Sequence, residues 1–249
     1  MPPPRLYADL AWVWPFLSPP EDYEEEVATF RARFARRGVP DGGAVLHLGS
    51  GGGSIDYHLK RHYRVTGVDL SPAMLAHACG VNPEVEYLPG DIRNVRLGRT
   101  FDAVLLHDAS AYLTTLPELR AAYETAAAHL APGGVLVTPP EELRDRFEQH
   151  HVRSQTHAAG DVSVTTVQVS FDPDPTDTSF EETYVFLIRE GGRLTVETDT
   201  HLTALYHLEE VVTTLRDAGF DPEVEHWELS DWPPGTYYPI ITARKREKV

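Results

Sequence analysis

The 249-residue sequence predicts an α/β fold: a doubly wound, mostly parallel sheet with helices on both faces and a late antiparallel β insertion. Three observations carry that prediction. Short apolar runs alternate with helical stretches between residues 44 and 138. A glycine cluster separates the first such run from its helix. After Pro140 the pattern changes to long segments rich in Val, Thr, Phe and Tyr.

The elements follow in order. Residues 1–43 form an N-terminal lead. It holds the aromatic stretch Trp12-Val13-Trp14-Pro15-Phe16, then a helix over 21–37 with Val27, Phe30 and Phe34 at helical spacing. Residues 44–140 form the core, with strands at 44–48, 65–68, 85–88, 101–106 and 135–138. Helices are expected at 54–61, 72–78 and 117–130. Ser71-Pro72 gives an N-cap with Pro at the first helical position, and Pro132-Gly133-Gly134 stops the long Ala-rich helix. Residues 141–205 carry the insertion, with strands at 162–171, 180–190 and 193–203. Gly191-Gly192 is a two-residue hairpin signal. Residues 206–249 return to the core sheet through a helix at 208–218 and strands at 224–229 and 238–243. The insertion is expected as a layer over one face of the main sheet, and its edges need covering.

Composition narrows the function. Twenty-two Lys and Arg against 38 Asp and Glu give a formal charge of -16, which repels a polyphosphate partner and disfavours nucleic acid. One cysteine, Cys79, excludes an internal disulfide and a multi-cysteine zinc site. No apolar run approaches the ~18–20 residues of a membrane span, and the start lacks a signal-peptide pattern. A cytoplasmic protein with no membrane partner is the expectation.

The strand–loop–helix around Gly49-Ser50-Gly51-Gly52-Gly53 lets backbone approach a ligand closely. Asp69 ends the second strand 20 residues after Gly49, where nucleotide-binding α/β folds place a carboxylate for ribose hydroxyls; its alternative role is a plain helix cap. Asp91 follows the third strand. It suits an adenine amine, with Ile92 and Met74 over the ring faces, or it simply starts a turn. The third glycine of a dinucleotide fingerprint is replaced by Ser54, no Tyr-x-x-x-Lys pair exists, and no Walker lysine follows the glycines. Hydride and phosphoryl transfer both lose support.

Taken in order, Gly49-x-Gly51-x-Gly53, the Val65–Met74 run with Asp69 and Leu70, Gly90-Asp91, Phe101-Asp102-Ala103-Val104 and His129–Val137 resemble the class I S-adenosylmethionine-dependent methyltransferases. The lead Leu6-Tyr7…Leu10-Ala11…Asp22-Tyr23-Glu24, Leu97-Gly98-Arg99, Ala111-Tyr112-Leu113 and the late insertion are similar to the amino-sugar N,N-dimethyltransferases of macrolide biosynthesis. The resemblance implies a Rossmann-like fold and S-adenosyl-L-methionine as cofactor. It would be held by Trp14, Tyr23, His47, Gly49, Ser50, Gly51, Gly53, Asp69, Leu70, Met74, Asp91, Ile92 and His107. The chain departs from that pattern at His47, where relatives carry a carboxylate for the cofactor's ammonium. A neutral imidazole still accepts one hydrogen bond there; the other reading is a core histidine bonded to backbone. Trp14 stands where relatives have Tyr. Asp108–Leu113 and Pro139-Pro140-Glu141 replace segments that border their substrate pocket.

Methyl transfer needs alignment and, for an ammonium or hydroxyl nucleophile, proton removal. His107, Asp108 and Tyr112, at the end of the fourth strand, are the catalytic candidates: His107 as base, Asp108 orienting it or holding an amine, Tyr112 as pocket wall. In an extended segment His107 and Asp108 would point apart. No metal site is expected; His150, His151 and His157 read as a solvated linker. The loop Trp232–Tyr238 either lines the pocket or is a packed turn. Glu24–Glu26 and Arg31–Arg37 read as solvated helix faces. The expected partner is a small-molecule methyl acceptor, with transfer to nitrogen or oxygen. A non-catalytic binding or assembly module and a macromolecular methyltransferase are the alternatives, and the inserted sheet leaves a homodimer open.

Overall fold

The computed structural model describes residues 4–230, 232 and 235–247. Five parallel strands, β1 (Ala44–Leu48), β2 (Arg64–Asp69), β3 (Glu86–Pro89), β4 (Phe101–Leu106) and β5 (Leu130–Thr138), are extended by β10 (Phe220–Trp227) and β11 (Tyr238–Lys245). Their order is β10-β11-β5-β4-β1-β2-β3. β11 runs antiparallel to β5, and β10 antiparallel to β11. The chain direction of winding reverses between β1 and β4, so Leu48 pairs with Leu106 and the segments after both strands emerge side by side. In open α/β sheets that crevice is where ligands bind.

Both faces of this sheet are buried, which is why its strands read as continuous apolar runs. Val45, Ala103, Leu105, Val135 and Val137 pack against Val27, Phe30 and Phe34 of α2 (Glu24–Arg36) and Ile55 and Leu59 of α3 (Ser54–Leu59). Leu46, Leu48, Val104, Leu106 and Leu136 face Leu119, Ala122 and Tyr123 of α5 (Leu116–His129) and Val211 and Leu215 of α6 (Leu208–Asp217). The alternation of odd and even positions is the period-two rule at work. α4 (Pro72–Val81) follows β2; Ser71 Oγ accepts from Met74 N at 3.1 Å, so the expected cap is formed.

A second, antiparallel sheet runs β6 (Val152–Ala159), β7 (Val162–Phe171), β8 (Ser179–Glu190) and β9 (Arg193–Ala204) in sequence order. Gly191 and Gly192 take φ of 54° and 82° between the paired Glu190 and Arg193, the geometry of a type I′ hairpin. Helices already cover both faces of the main sheet. The second sheet therefore packs on the N-terminal lead instead: Leu6, Leu10 and Val13 bury against Val164, Phe186 and Ile188.

Three local expectations need correction. Residues 152–159, read as a linker, are strand β6; the alternation signal is missing because its side chains are almost all exposed. Pro132-Gly133-Gly134 ends the helix but lies inside β5, where the pairing with β4 shifts register. The arginines of α2 are not merely solvated: Arg33 and Arg36 pair with Glu225, and Arg37 pairs with Glu223, tying α2 to β10.

Candidate active site

The glycine loop is shaped by steric need. Gly49, Gly51 and Gly53 all have positive φ, and a Cβ on Gly49 would lie 2.0 Å from the Ala109 Cβ. Asp69 fastens the loop to the next one. Its Oδ2 accepts from Gly51 N at 2.9 Å and its Oδ1 from Ser71 N at 2.8 Å. A carboxylate has about four acceptor sites, so room remains for ribose hydroxyls. Leu70 beside it is exposed, whereas Met74 is buried. Asp91 is clamped by Arg93, whose Nη2 lies 2.7 Å from Oδ2, and this ion pair pulls the carboxyl below its usual range. An adenine amine would share that carboxylate with Arg93. Ile92, next to Asp91, is half-buried.

Under the loop, His47 is neither exposed nor bonded to backbone. Its Nδ1 meets Asp56 Oδ1 at 2.8 Å, and Asp56 Oδ2 accepts from Tyr87 Oη at 3.0 Å. Asn82 Nδ2 bonds the same Tyr87 hydroxyl and Gly53 O. In a neutral ring with Nδ1 donating to the carboxylate, the other ring nitrogen is an acceptor. That atom, His47 Nε2, is buried without a partner, as are Ser50 Oγ and Trp14 Nε1. A Cβ on Gly52 would meet Trp14 Nε1 at 2.4 Å, so the Trp14 indole covers the loop. Buried polar atoms are normally satisfied. A donor and two acceptor-capable groups left open around a glycine cradle fit the amino-acid end of S-adenosylmethionine, with His47 facing an ammonium.

Next to this loop, β4 ends in a sharp turn. Asp108 has φ 53° and ψ −48°, and the Ala109 N–H donates to His107 O around it. This is a strained γ-turn. It reverses the expectation that His107 and Asp108 diverge: His107 Nδ1 lies 2.8 Å from Asp108 Oδ1. His107 Nε2 meets Glu26 Oε1 at 2.7 Å. Glu26 is thus buried in the site, not on a solvated face. Burial alone pushes His107 down, but Asp108 and Glu26 more than reverse it, and the imidazole is held well above its usual range. Glu141 completes the group. Its side chain is exposed to the cavity, where desolvation and the neighbouring Asp108 push its carboxyl up; the half-exposed Asp108 is raised by desolvation but drawn below its normal range by the His107 imidazolium. His107, Asp108 and Glu141 offer atoms within 4.8 Å of one another, a spacing that could hold a metal ion. Each ring nitrogen of His107 faces a carboxylate, so the group can also share protons.

These residues line a cavity of about 850 Å³ with Tyr23, whose hydroxyl bonds Ser18 Oγ at 2.7 Å. Trp232, Thr236 and Tyr238 also line it, so the loop before β11 does reach the pocket; Pro233 and Pro234 lie outside the described residues. Tyr112 is placed differently from expectation. Its hydroxyl meets Tyr7 Oη at 2.7 Å and His201 Nδ1 at 2.8 Å, and Ala111 takes the place at the cavity wall. The histidines of the insertion do not converge: His150 stacks on Phe171, His151 faces Glu148, and His157 sits on β6. Glu26 and His201 carried no signal of a site role, because each partner comes from a distant segment, and Tyr7 was visible only within the lead that carries the resemblance. The Glu141 position was visible only as a departure from the family pattern.

Comparison with known proteins agrees with this architecture. Residues 45–134 match the family model described as a methyltransferase domain. The chain is 30% identical over 210 residues to the dTDP-3-amino-3,4,6-trideoxy-alpha-D-glucopyranose N,N-dimethyltransferase of Streptomyces venezuelae, covering 84% of this chain and 87% of that protein. It is 32% identical to the dTDP-3-amino-3,6-dideoxy-alpha-D-glucopyranose N,N-dimethyltransferase of Streptomyces fradiae, covering 82% and 79%. Among solved structures, S. venezuelae DesVI superposes with a TM-score of 0.80 at 27% identity, covering 96% of each chain. The S-adenosylmethionine-bound amino pentose methyltransferase CalS10 of Micromonospora echinaspora gives 0.77 at 29%, covering 90% and 92%. With the glycine cradle, the strand order and these similarities together, the chain belongs to the S-adenosylmethionine-dependent methyltransferases, in the family that includes these N,N-dimethyltransferases.

Proposed function

We propose that the enzyme methylates the nitrogen of a small-molecule amine, and that Asp108 and Glu141 receive that amine. The carrying observation is the carboxyl pair set against His107 at the end of β4, where the cavity meets the glycine loop. The cofactor supplies an activated methyl group; the chain supplies position and proton removal. An amine is protonated at neutral pH and has no lone pair to attack with. When the pair is ionised, the acceptor's ammonium replaces the proton between the two carboxylates. Its own proton passes to Glu141, the more basic partner, and the freed nitrogen attacks the methyl carbon. The product nitrogen carries the charge; Glu141 releases its proton to solvent through the open cavity, and the methylammonium then repeats the transfer with a second cofactor. The imidazolium of His107, backed by Glu26, fixes Asp108 in place.

The relatives named as amino-sugar N,N-dimethyltransferases support nitrogen over oxygen. An acidic cavity in a chain of charge -16 speaks against a nucleic-acid substrate. Among the described residues no helix is long and apolar enough to cross a membrane. A cytoplasmic setting belongs to the same proposal and accords with a lone, exposed Cys79. The test is a screen of primary amines with mass analysis of the products, followed by Glu141→Gln and Asp108→Asn. Both variants should bind cofactor normally and lose kcat by about 10²-fold or more. Wild-type turnover in both would remove the carboxyl pair from the mechanism.

A further inference from the structure

We infer that the outer face of the second sheet is a dimer interface. It packs on the same face of a second copy of this chain, about a two-fold axis that runs between the two sheets and crosses β8 at Val185.

The strand register fixes which residues share that face. Ser154 pairs with Val167, Val167 with Val185, and Val185 with Thr198, and side chains alternate sides along each strand. The inner face is already used. Val164, Phe186 and Ile188 bury against the lead, and Gln168, Glu182 and Tyr184 line the cavity. The outer face carries Val152, Val167, Val169, Val185, Leu187 and Val196 among serines and threonines. Val152, Leu194 and Val196 are 45–58% exposed. Among the described residues, none of these side chains belongs to a buried cluster. A contiguous apolar patch of this kind marks an interaction surface. From Val152 to Leu202 the only charged residues on it are Glu181 and Arg189, in a chain where 24% of residues are charged.

Those two charges identify the occupant. Both lie on β8, four residues on either side of Val185. A two-fold axis between the sheets and perpendicular to the strands at Val185 runs one β8 antiparallel over the other. A residue a given number of places after Val185 then faces the residue the same number before it. Arg189 meets the partner subunit's Glu181, and by symmetry this pair forms twice. Such self-complementarity is the mark of an isologous contact. Within one chain the two charges are separated by about 26 Å of extended strand, so they do not meet. The area also suffices. Four strands at about 4.8 Å and nine residues at about 3.3 Å make a face of roughly 19 by 30 Å. Two copies supply roughly 1,100 Å², above the ~1,000 Å² that a specific interface needs. Facing sheets interdigitate their side chains about 10 Å apart. Since the inner face lines the cavity, each copy in the dimer backs the other's cavity wall.

Sedimentation velocity of the full chain, over a wide concentration range, reads the association. The expected result is a reversible or stable dimer. Glu181→Arg sets arginine against arginine at both symmetric contacts, and Arg189→Glu sets glutamate against glutamate. Each should weaken dimerisation at least about tenfold. The double variant, Glu181→Arg with Arg189→Glu, should return to wild-type association. The two positions do not touch within a chain, so only a second copy can couple them. Titration with S-adenosylhomocysteine checks that every variant stays folded. A wild-type monomer at all concentrations would overturn the inference. So would a dimer that the single substitutions leave unchanged, or one that the double variant fails to restore. Each of these results leaves the proposed amine methylation standing.

Discussion

The hydroxyls of Tyr7 and Tyr112 lie 2.7 Å apart, and that contact joins the N-terminal lead to the turn after β4. The chain of bonds continues from Tyr112 to His201 on β9 at 2.8 Å, and from His201 to Asp199 at 2.9 Å. Asp199 Oδ2 in turn accepts from Leu6 N at 2.8 Å, so the circuit closes back on the lead. Tyr7 O also accepts from Ser71 Oγ beside the Asp69 clamp. The lead is thus held against the cofactor loops from two sides. Tyr112→Phe should weaken cofactor affinity about five- to tenfold, the worth of a buried neutral hydrogen bond or two, with a smaller change in melting temperature. Titration calorimetry with S-adenosylhomocysteine reads this directly; unchanged affinity would mean that the lead closes without the tyrosine pair.

Asp69 holds two backbone amides at once. Asp69→Ala removes both acceptors and leaves Gly51 and Ser71 N–H groups open. Cofactor affinity should fall more than tenfold, at least ~1.4 kcal/mol. The same calorimetric titration decides it, and a loss below threefold would show that the loop keeps its shape without the clamp.

Gly49 and Ala109 cannot both carry a side chain at their present spacing. Gly49→Ala introduces a Cβ where the Ala109 Cβ already stands and adds strain at φ 77°. A loss of several degrees in melting temperature is expected. Adding Ala109→Gly should restore part of it, since it removes the collision but not the strained φ. No recovery in the double variant would place the whole cost in the backbone of the loop.

The His107 proton sets a pH slope. Its pKa is raised on folding, so from the unfolded value near 6.5 upward the native state binds more protons than the unfolded one. Stability therefore falls as pH rises toward the folded pKa and is fully expressed below about 6.5. Glu141, also raised, adds a slope of the same sign. Melting temperature measured from pH 6 to 9 should decline in the wild type and flatten in His107→Gln. Parallel curves for the two proteins would show that His107 loses its proton near 6.5 after all.

The main sheet was readable because both of its faces are buried, which leaves an apolar run at most strands, and because glycines mark several of its turns, at Gly42-Gly43, Gly49–Gly53, Gly90 and Gly98. Asp69 and the glycine loop were legible for the same reason: their geometry is local. The proton-holding group was not. Glu26 sits in a Glu-Glu-Glu run whose neighbours Glu24 and Glu25 are exposed, and only the approach of β4 distinguishes it. Nor did the sequence announce the γ-turn at Asp108, a conformation rare outside glycine that depends on the packing of Ala109 over Gly49. β6 escaped because an exposed edge strand has no buried face to impose alternation.

The place of β11 has a consequence for synthesis. β5 is the fifth strand made, and Val135, Leu136 and Val137 in it are fully buried. The strand that covers its free edge, β11, begins about 100 residues later, after the whole second sheet and α6. At roughly 5–20 residues per second, a ribosome takes on the order of 5–20 s to cross that interval. For that time an apolar strand edge stands open on the nascent chain, ready to pair with a neighbouring polypeptide. The four-stranded second sheet is complete in the chain before β11 emerges, so it is made while the main sheet still lacks its last strand.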